Sequence, residues 1–173
     1  MSKTIENLKA AFAGESQARN KYTFFAKVAR KEGYHYIAKI FEESAVNEER
    51  HAKDHFNLLK GISDTATNLQ EAIDGENFET VDMYPTFAKE AEEEGNTEAA
   101  ILFKQIGKVE EHHRDRYQRC LEMVKNDTVF KREKSIKWKC SKCGYMHEGT
   151  EPPSKCPACK HPKEYYEPAS MDI

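Results

Sequence analysis

Proline is almost missing from the first 125 residues: of the six prolines in the chain, Pro85 alone falls there. No run of about 18 apolar residues occurs anywhere, and no apolar segment typical of a secretion signal follows Lys3. The net charge of -3 lacks the basic excess that nucleic acids or anionic membranes attract. These absences predict a cytoplasmic protein, largely helical, with neither a nucleic-acid nor a membrane partner.

Cysteine is also scarce. The chain has five, and four of them form two C-x-x-C pairs in its last third. In a reducing compartment, that spacing argues for a bound metal rather than for disulfides. The fifth, Cys120, continues an apolar helical stripe, so we expect an inert thiol.

Apolar side chains recur every three or four positions in the first 130 residues, which is the period of a helix. The period predicts four helices, whose stripes begin at Ile5, Ile37, Met83 and Ala99. Thr4 is available to cap the first helix, and a longer connection with a short helix near 68–73 separates the second from the third. Short links within hairpins and a long crossover between them predict an all-α ferritin-like four-helix bundle over residues 1–130.

The second predicted hairpin repeats the first at an offset of 62 residues. The matched pairs include Tyr22 with Tyr84, Phe25 with Phe87, Phe41 with Phe103, Glu48 with Glu110, and His51 with His113. Such a match indicates internal duplication. Two related hairpins would pack with approximate twofold symmetry.

Five polar side chains occupy positions in the apolar stripes: Glu15, Glu48, His51, Glu110 and His113. An unpaired carboxylate there would cost several kcal/mol, so these residues need a shared cation or a hydrogen-bonded partner. Two Glu-x-x-His helices and one glutamate from each other helix are the ligand set of di-iron and di-manganese bundles. An alternative is a buried ion-pair network that includes Arg19.

The third helix is ambiguous, because the repeat counterpart of Glu15 is Asn77, which carries no charge. Its ligand must come from the nearby carboxylates. Spacing leaves Glu76, Glu79 and Asp82 open, with a modest preference for the last two.

The last third combines Cys140-x-x-Cys143 and Cys156-x-x-Cys159, separated by twelve residues. Two such pairs form a tetrahedral four-thiolate site, although spacing does not distinguish zinc from iron. Residues 131–137 are a polar linker, and 138–173 form a segment too short to fold without a metal or another cross-link.

With both halves considered, the chain resembles the rubrerythrin family over nearly its full length. The resemblance lies in the segments 11–20, 48–52, 83–85 and 110–113 and in a tail from Trp138 to Cys159 that is similar to the family's rubredoxin-like domain. It implies three iron ions per chain, one pair in the bundle and one redox-active ion held by Cys140, Cys143, Cys156 and Cys159.

The resemblance also implies roles. Glu48 and Glu110 would bridge the irons, Glu15 and Glu79 would be terminal ligands, and His113 would bind the second iron. The glutamate that exchanges with a histidine when the family's first iron is reduced would correspond to Asp82, exchanging with His51. Aspartate is one methylene shorter, so we expect His51 to stay bound in both oxidation states. The repeat mates Tyr22 and Tyr84 are candidates for hydrogen bonding to the glutamates.

The implied activity is reduction of hydrogen peroxide to water, a peroxidase reaction. A rubredoxin, or a separate NAD(P)H-linked reductase, would supply the electrons through the four-cysteine iron, and a homodimer or higher oligomer is expected. A ferritin-like ferroxidase that handles iron is the alternative, although storage needs no electron inlet. A pure electron carrier would leave the buried carboxylates unexplained.

Overall fold

The computed structural model describes residues 2–170. Contacts divide the chain into two compact units, Met1–Ser63 and Asp64–Ile173. Within the described residues, no helix is long and apolar enough to cross a membrane.

The first unit is a helical hairpin of α1 (Lys3–Lys31) and α2 (His35–Leu58). Ser2, rather than Thr4, caps α1, because its hydroxyl accepts a hydrogen bond from the Ile5 backbone N–H at 3.4 Å. The turn between the helices uses Gly33 at φ 88°, a left-handed conformation that glycine adopts without strain. Alanines on both helices, including Ala26 and Ala45, are buried and let the two backbones approach closely.

The second unit begins with a helical stretch that runs without a break from Thr65 to Glu93. It consists of α3 (Thr65–Phe78), a π-helical segment (Glu79–Met83) and α4 (Tyr84–Glu93). The short helix expected near 68–73 is therefore part of this long one, and the crossover is mostly helical. After a turn at Gly95, α5 (Thr97–Lys125) completes the second hairpin.

The π-helical segment has an identifiable cause. Pro85 lacks a backbone N–H and sits in the first turn of α4, so the regular α ladder is interrupted around it. The Tyr84 backbone N–H instead donates to the carbonyl of Glu79, five residues earlier. A turn bonded in this way holds one residue more than an α turn.

The predicted duplication reappears in the packing of aromatic rings. Tyr22 lies 6.1 Å from Phe41 in the first hairpin, and Tyr84 lies 6.2 Å from Phe103 in the second. The neighbouring ring contacts match as well, at 5.6 Å for Phe25 with Phe41 and 5.7 Å for Phe87 with Phe103. The two hairpins therefore repeat one packing arrangement.

Both hairpins have an ion pair at the same place in the repeat, but the positive and the negative residue are exchanged between the two helices. In the first hairpin Arg30 of α1 pairs with Glu42 of α2. In the second, Glu92 of α4 pairs with Lys104 of α5. At the repeat offset of 62 residues, Glu92 replaces Arg30 and Lys104 replaces Glu42. The ion pair is thus kept while its polarity is reversed.

A three-stranded antiparallel sheet forms the rest of the second unit. Its strands are β1 (Ile136–Cys140), β2 (Met146–Gly149) and β3 (Tyr166–Pro168), in the order β2-β1-β3. The core beneath them consists of Trp138, Cys140, Cys156 and Tyr166. The Trp138 indole N–H donates to the Gly149 carbonyl at 3.0 Å. The predicted architecture, a helical bundle followed by a small β domain with four cysteines, is confirmed.

Candidate metal centres

The first hairpin brings Glu15, Glu48 and His51 together, with one potential ligand atom of each within 4.8 Å of the others. Glu48 and His51 lie three positions apart on α2, so both side chains leave the same helix face. The Nδ1 atom of His51 is 2.8 Å from a Glu48 carboxylate oxygen. Glu15 reaches the same point from α1, as the sequence predicted.

The carboxyl groups of Glu15 and Glu48 lie close together in this cluster, and their proximity shifts the pKa of each. A hydrogen bond between them raises the pKa of Glu15 and lowers the pKa of Glu48. Desolvation raises the Glu15 pKa further, whereas the hydrogen bond with His51 lowers that of Glu48. A cation between the two groups would satisfy the oxygens of both.

The second hairpin repeats this cluster with Glu76, Glu110 and His113, again with ligand atoms within 4.8 Å of one another. His113 Nδ1 lies 2.8 Å from Glu110 and 3.8 Å from Glu76. Burial raises the pKa of Glu76, and the charge of Glu110 raises it further. Two nearly equivalent clusters, each with two carboxylates and one imidazole, thus arise from the repeat.

The resemblance implied Glu79 and Asp82 as third-helix ligands, but the carboxylate that this helix places in the second cluster is Glu76. Glu76 occupies the cluster, whereas Asp82 is exposed and lies outside it. Glu79 is half-buried, and its charge raises the pKa of both Glu76 and Tyr84, so it lies beside the cluster. The geometry gives no support to Asp82 as a ligand. We expected His51 to stay bound in both oxidation states because the Asp82 side chain is short. Without Asp82 as a ligand, the geometry does not support that expectation either.

The π-helical segment explains why the repeat pointed to Asn77. Glu15 precedes Tyr22 by seven residues, whereas Glu76 precedes Tyr84 by eight. The additional residue is accommodated in the π turn, which shifts the register of everything before it by one position. The signal was present in the sequence as a carboxylate adjacent to the expected site.

Among the other candidates, Tyr84 is half-buried beside the second cluster. Burial raises its pKa, and the charges of Glu79, Glu110 and Glu76 raise it further. Tyr22 contacts Phe25 and Phe41, which gives it a packing role in the first hairpin. Arg19 pairs with the exposed Glu49 at 3.4 Å and not with the cluster, which removes the support for a buried ion-pair network.

The four cysteines of the β domain converge as predicted. Cys140 Sγ and Cys159 Sγ are 3.7 Å apart, and Cys143 Sγ and Cys156 Sγ are 3.6 Å apart. A tetrahedral site with metal–sulfur bonds of about 2.3 Å requires sulfur separations of about 3.8 Å, far longer than a disulfide bond. All four thiols are free. The chain thus holds them at the spacing of a four-thiolate metal site.

Both donor sets fit the metals that they suggest. Carboxylates crowded enough to raise the pKa values of Glu15 and Glu76, combined with imidazole nitrogens, suit iron. In the thiol cluster, a backbone hydrogen bond from Tyr145 favours the Cys143 thiolate, but the other three cysteines and burial raise its pKa to about 12. Four thiolates therefore need a cation between them. Glu15, Glu48 and His51 would hold one iron, Glu76, Glu110 and His113 would hold another, and Cys140, Cys143, Cys156 and Cys159 would hold a third.

The third-helix ligand is open to a direct test with two matched amide substitutions. We expect Glu76→Gln to weaken iron binding by roughly tenfold or more, since even residues outside the first coordination sphere commonly contribute that much. Asp82→Asn should leave iron binding unchanged, because Asp82 is exposed and outside the cluster. Iron per chain after equilibrium dialysis measures both. Loss of iron in Asp82→Asn alone would restore Asp82 as the ligand.

Comparison with known proteins points to one family. The rubrerythrin family model matches residues 6–121, and the model of the rubrerythrin rubredoxin-like domain matches residues 138–167. Rubrerythrin of Porphyromonas gingivalis is 49% identical, over 96% of this chain and 90% of its own. Rubrerythrin of Nitratidesulfovibrio vulgaris is 44% identical, over 96% of this chain and 94% of its own.

Among solved structures, mixed-valence nigerythrin is 36% identical, covers 97% of this chain and 87% of its own, and has a TM-score of 0.37. The assignment rests on the sequence matches, which span both domains, and on the two donor sets. The chain therefore belongs to the rubrerythrin family, oxidoreductases that combine a ferritin-like di-iron bundle with a rubredoxin-like four-cysteine iron site.

Proposed function

We propose that this protein is a peroxidase that reduces hydrogen peroxide to two water molecules, taking up two electrons and two protons. The observation that carries this proposal is the presence, in one chain, of two Glu-x-x-His clusters and a four-thiolate site. A redox site built for one electron at a time, in the same chain as clusters suited to two metal ions, supports electron delivery followed by two-electron reduction. A separate NAD(P)H-linked reductase, or a rubredoxin, would be the donor.

In this proposal the carboxylates and imidazoles of the two clusters would hold the iron pair, with Glu48 as a principal ligand in the first cluster and Glu110 in the second. These two glutamates suit the role because their side chains are 19% and 15% exposed, well shielded from competing water. Glu15 and Glu76 would be terminal ligands, and Glu79 an additional carboxylate beside the second cluster. When bound, the iron pair supplies two electrons and acts as a Lewis acid.

The chain's own contribution to proton transfer centres on Tyr84. Burial and the surrounding carboxylates raise its pKa, so its hydroxyl stays protonated at physiological pH and is available as a hydrogen-bond donor. A donor beside three carboxylates can orient a ligating glutamate or a peroxide oxygen. Tyr22, the repeat mate of Tyr84, would donate a hydrogen bond from its hydroxyl to a glutamate of the first cluster.

The test is a peroxide titration of the reconstituted, fully reduced protein. Visible absorption of the four-cysteine iron and total metal content are followed together. The proposal expects rapid oxidation of both sites with about two electrons consumed per peroxide, as the stoichiometry of reduction to water requires. Slow oxidation by peroxide, but rapid oxidation of added ferrous ion by oxygen, would instead identify a ferroxidase.

A cytoplasmic location and a homodimer complete the proposal. Free thiols at the spacing of a metal site support a reducing compartment. The dimer rests on the family resemblance alone. Sedimentation of the iron-loaded protein measures the oligomeric state directly.

A further inference from the structure

Tyr166 carries a buried hydroxyl that the proposed reaction does not use. The residue lies on β3, directly opposite Cys140 of β1 in the sheet register. It is 4% exposed and packs in the core with Trp138 and Cys156. Within the described part of the chain, its hydroxyl oxygen is buried without a hydrogen-bond partner of normal geometry. A buried hydroxyl without a partner destabilises a fold, so its position calls for an acceptor.

The nearest acceptor is the sulfur of Cys156. Cys156 and Tyr166 share the buried core of this domain, and no other acceptor for the hydroxyl is found among the described residues. As a ligand of a bound metal, Cys156 would be a thiolate, and a thiolate accepts hydrogen bonds strongly. A buried hydroxyl and a sulfur that can accept from it therefore lie next to each other in the interior of this domain.

We propose that Tyr166 is a positioning residue that donates a hydrogen bond to the Cys156 sulfur when the four-cysteine site carries iron, and that this bond raises the iron's reduction potential. Four thiolates around ferric iron carry a net charge of -1, and around ferrous iron a net charge of -2. A hydrogen bond to sulfur stabilises the more negative, reduced form. The proposal depends on iron at this site and not on the peroxidase reaction.

A side-chain donor differs in kind from the backbone donors at this site. The N–H groups of Tyr145 and Cys159, which hydrogen-bond to Cys143 and Cys156, belong to the backbone and persist whatever the side chains are. The Tyr166 hydroxyl can be removed by one substitution that keeps the ring. The residue at position 166 therefore sets part of the reduction potential of the four-cysteine iron, and with it the driving force for electron transfer to the bundle.

The test compares Tyr166→Phe with the unaltered full-length, iron-loaded protein. Spectroelectrochemical titration, following visible absorption of the four-cysteine iron, measures the potential. We expect Tyr166→Phe to disfavour the reduced form by roughly tenfold, a negative shift of about 59 mV for a one-electron couple. The control is Tyr165→Phe, which makes the same change one residue away, where the side chain is exposed and its ring packs against His161. The control should keep the original potential.

A second readout uses the unaltered protein and the same Tyr166→Phe variant. Resonance Raman spectra of the unaltered protein should show iron–sulfur stretching bands that shift on exchange into D₂O, and the Tyr166 contribution to that shift should vanish in Tyr166→Phe. Equal potentials in all three proteins, or iron–sulfur bands indifferent to exchange, would overturn the proposal. Absence of peroxide turnover would leave both readouts intact, so failure of the peroxidase proposal is distinguishable.

Discussion

Replacing Glu110 with glutamine is expected to remove bound iron and to lower peroxide turnover by at least about a hundredfold, because the substitution removes a negative charge from the second cluster. Glu110 lies at the centre of the second cluster. It contacts His113 at 2.8 Å, and its charge raises the pKa values of Glu76 and Tyr84. Glutamine keeps the shape of the side chain but supplies neither the charge nor the second anionic oxygen.

The matched control for that substitution is Glu111→Gln. Glu111 is the next residue of α5, is exposed, and pairs with Arg114 at 3.7 Å on the helix surface. It should retain all the iron and full turnover. Iron per chain and the rate of peroxide reduction are measured for both variants. A Glu110→Gln protein with its full iron complement and unchanged rate would show that the second cluster is not the metal centre.

Replacing Cys156 with serine is expected to abolish turnover driven by an external reductase, again by at least about a hundredfold, while the helical region stays folded. Cys156 is fully buried and lies 3.6 Å from Cys143. The β domain has a core of four residues, too small to be stable by packing alone. Metal binding contributes on the order of 10 kcal/mol to such domains, so losing one ligand unfolds this one.

The control here is Cys120→Ser, which alters the fifth cysteine, half-buried on α5 and outside the thiol cluster. Cys156→Ser should lose the visible absorption of the four-cysteine iron, whereas Cys120→Ser should keep it. Both variants should still react with peroxide in a single turnover after chemical reduction of the iron pair. Normal reductase-driven turnover in Cys156→Ser would mean that electrons reach the bundle by another route.

Much of the site followed from local geometry. Residues three apart on a helix share a face whatever surrounds them, so Glu48 with His51 and Glu110 with His113 were predictable from spacing. The four-thiolate site was also predictable from spacing. Each C-x-x-C pair forms a short loop, and two such loops suffice to place four sulfurs around one metal.

The positions of Glu76 and Tyr166 were not predictable, because they depend on features that a regular helical period does not show. The π turn adds a residue before Tyr84, so a helical period of 3.6 and a constant repeat offset both miss Glu76 by one position. Pro85 was visible, but its effect on the hydrogen bonds before it was not. The position of Tyr166 opposite Cys140 is set by strand pairing between distant segments, which no local pattern specifies.

The reversed ion pair bears on how a duplicated chain sorts its own helices during folding. α1 and α4 are similar enough to compete for the same partner, as are α2 and α5. If α1 paired with α5, Arg30 would face Lys104; if α4 paired with α2, Glu92 would face Glu42. Each mismatch sets like charges against each other, whereas each native hairpin joins opposite ones. Exposed pairs of this kind contribute only about 0.2–1 kcal/mol, but at the moment of pairing the difference between attraction and repulsion favours the correct hairpin.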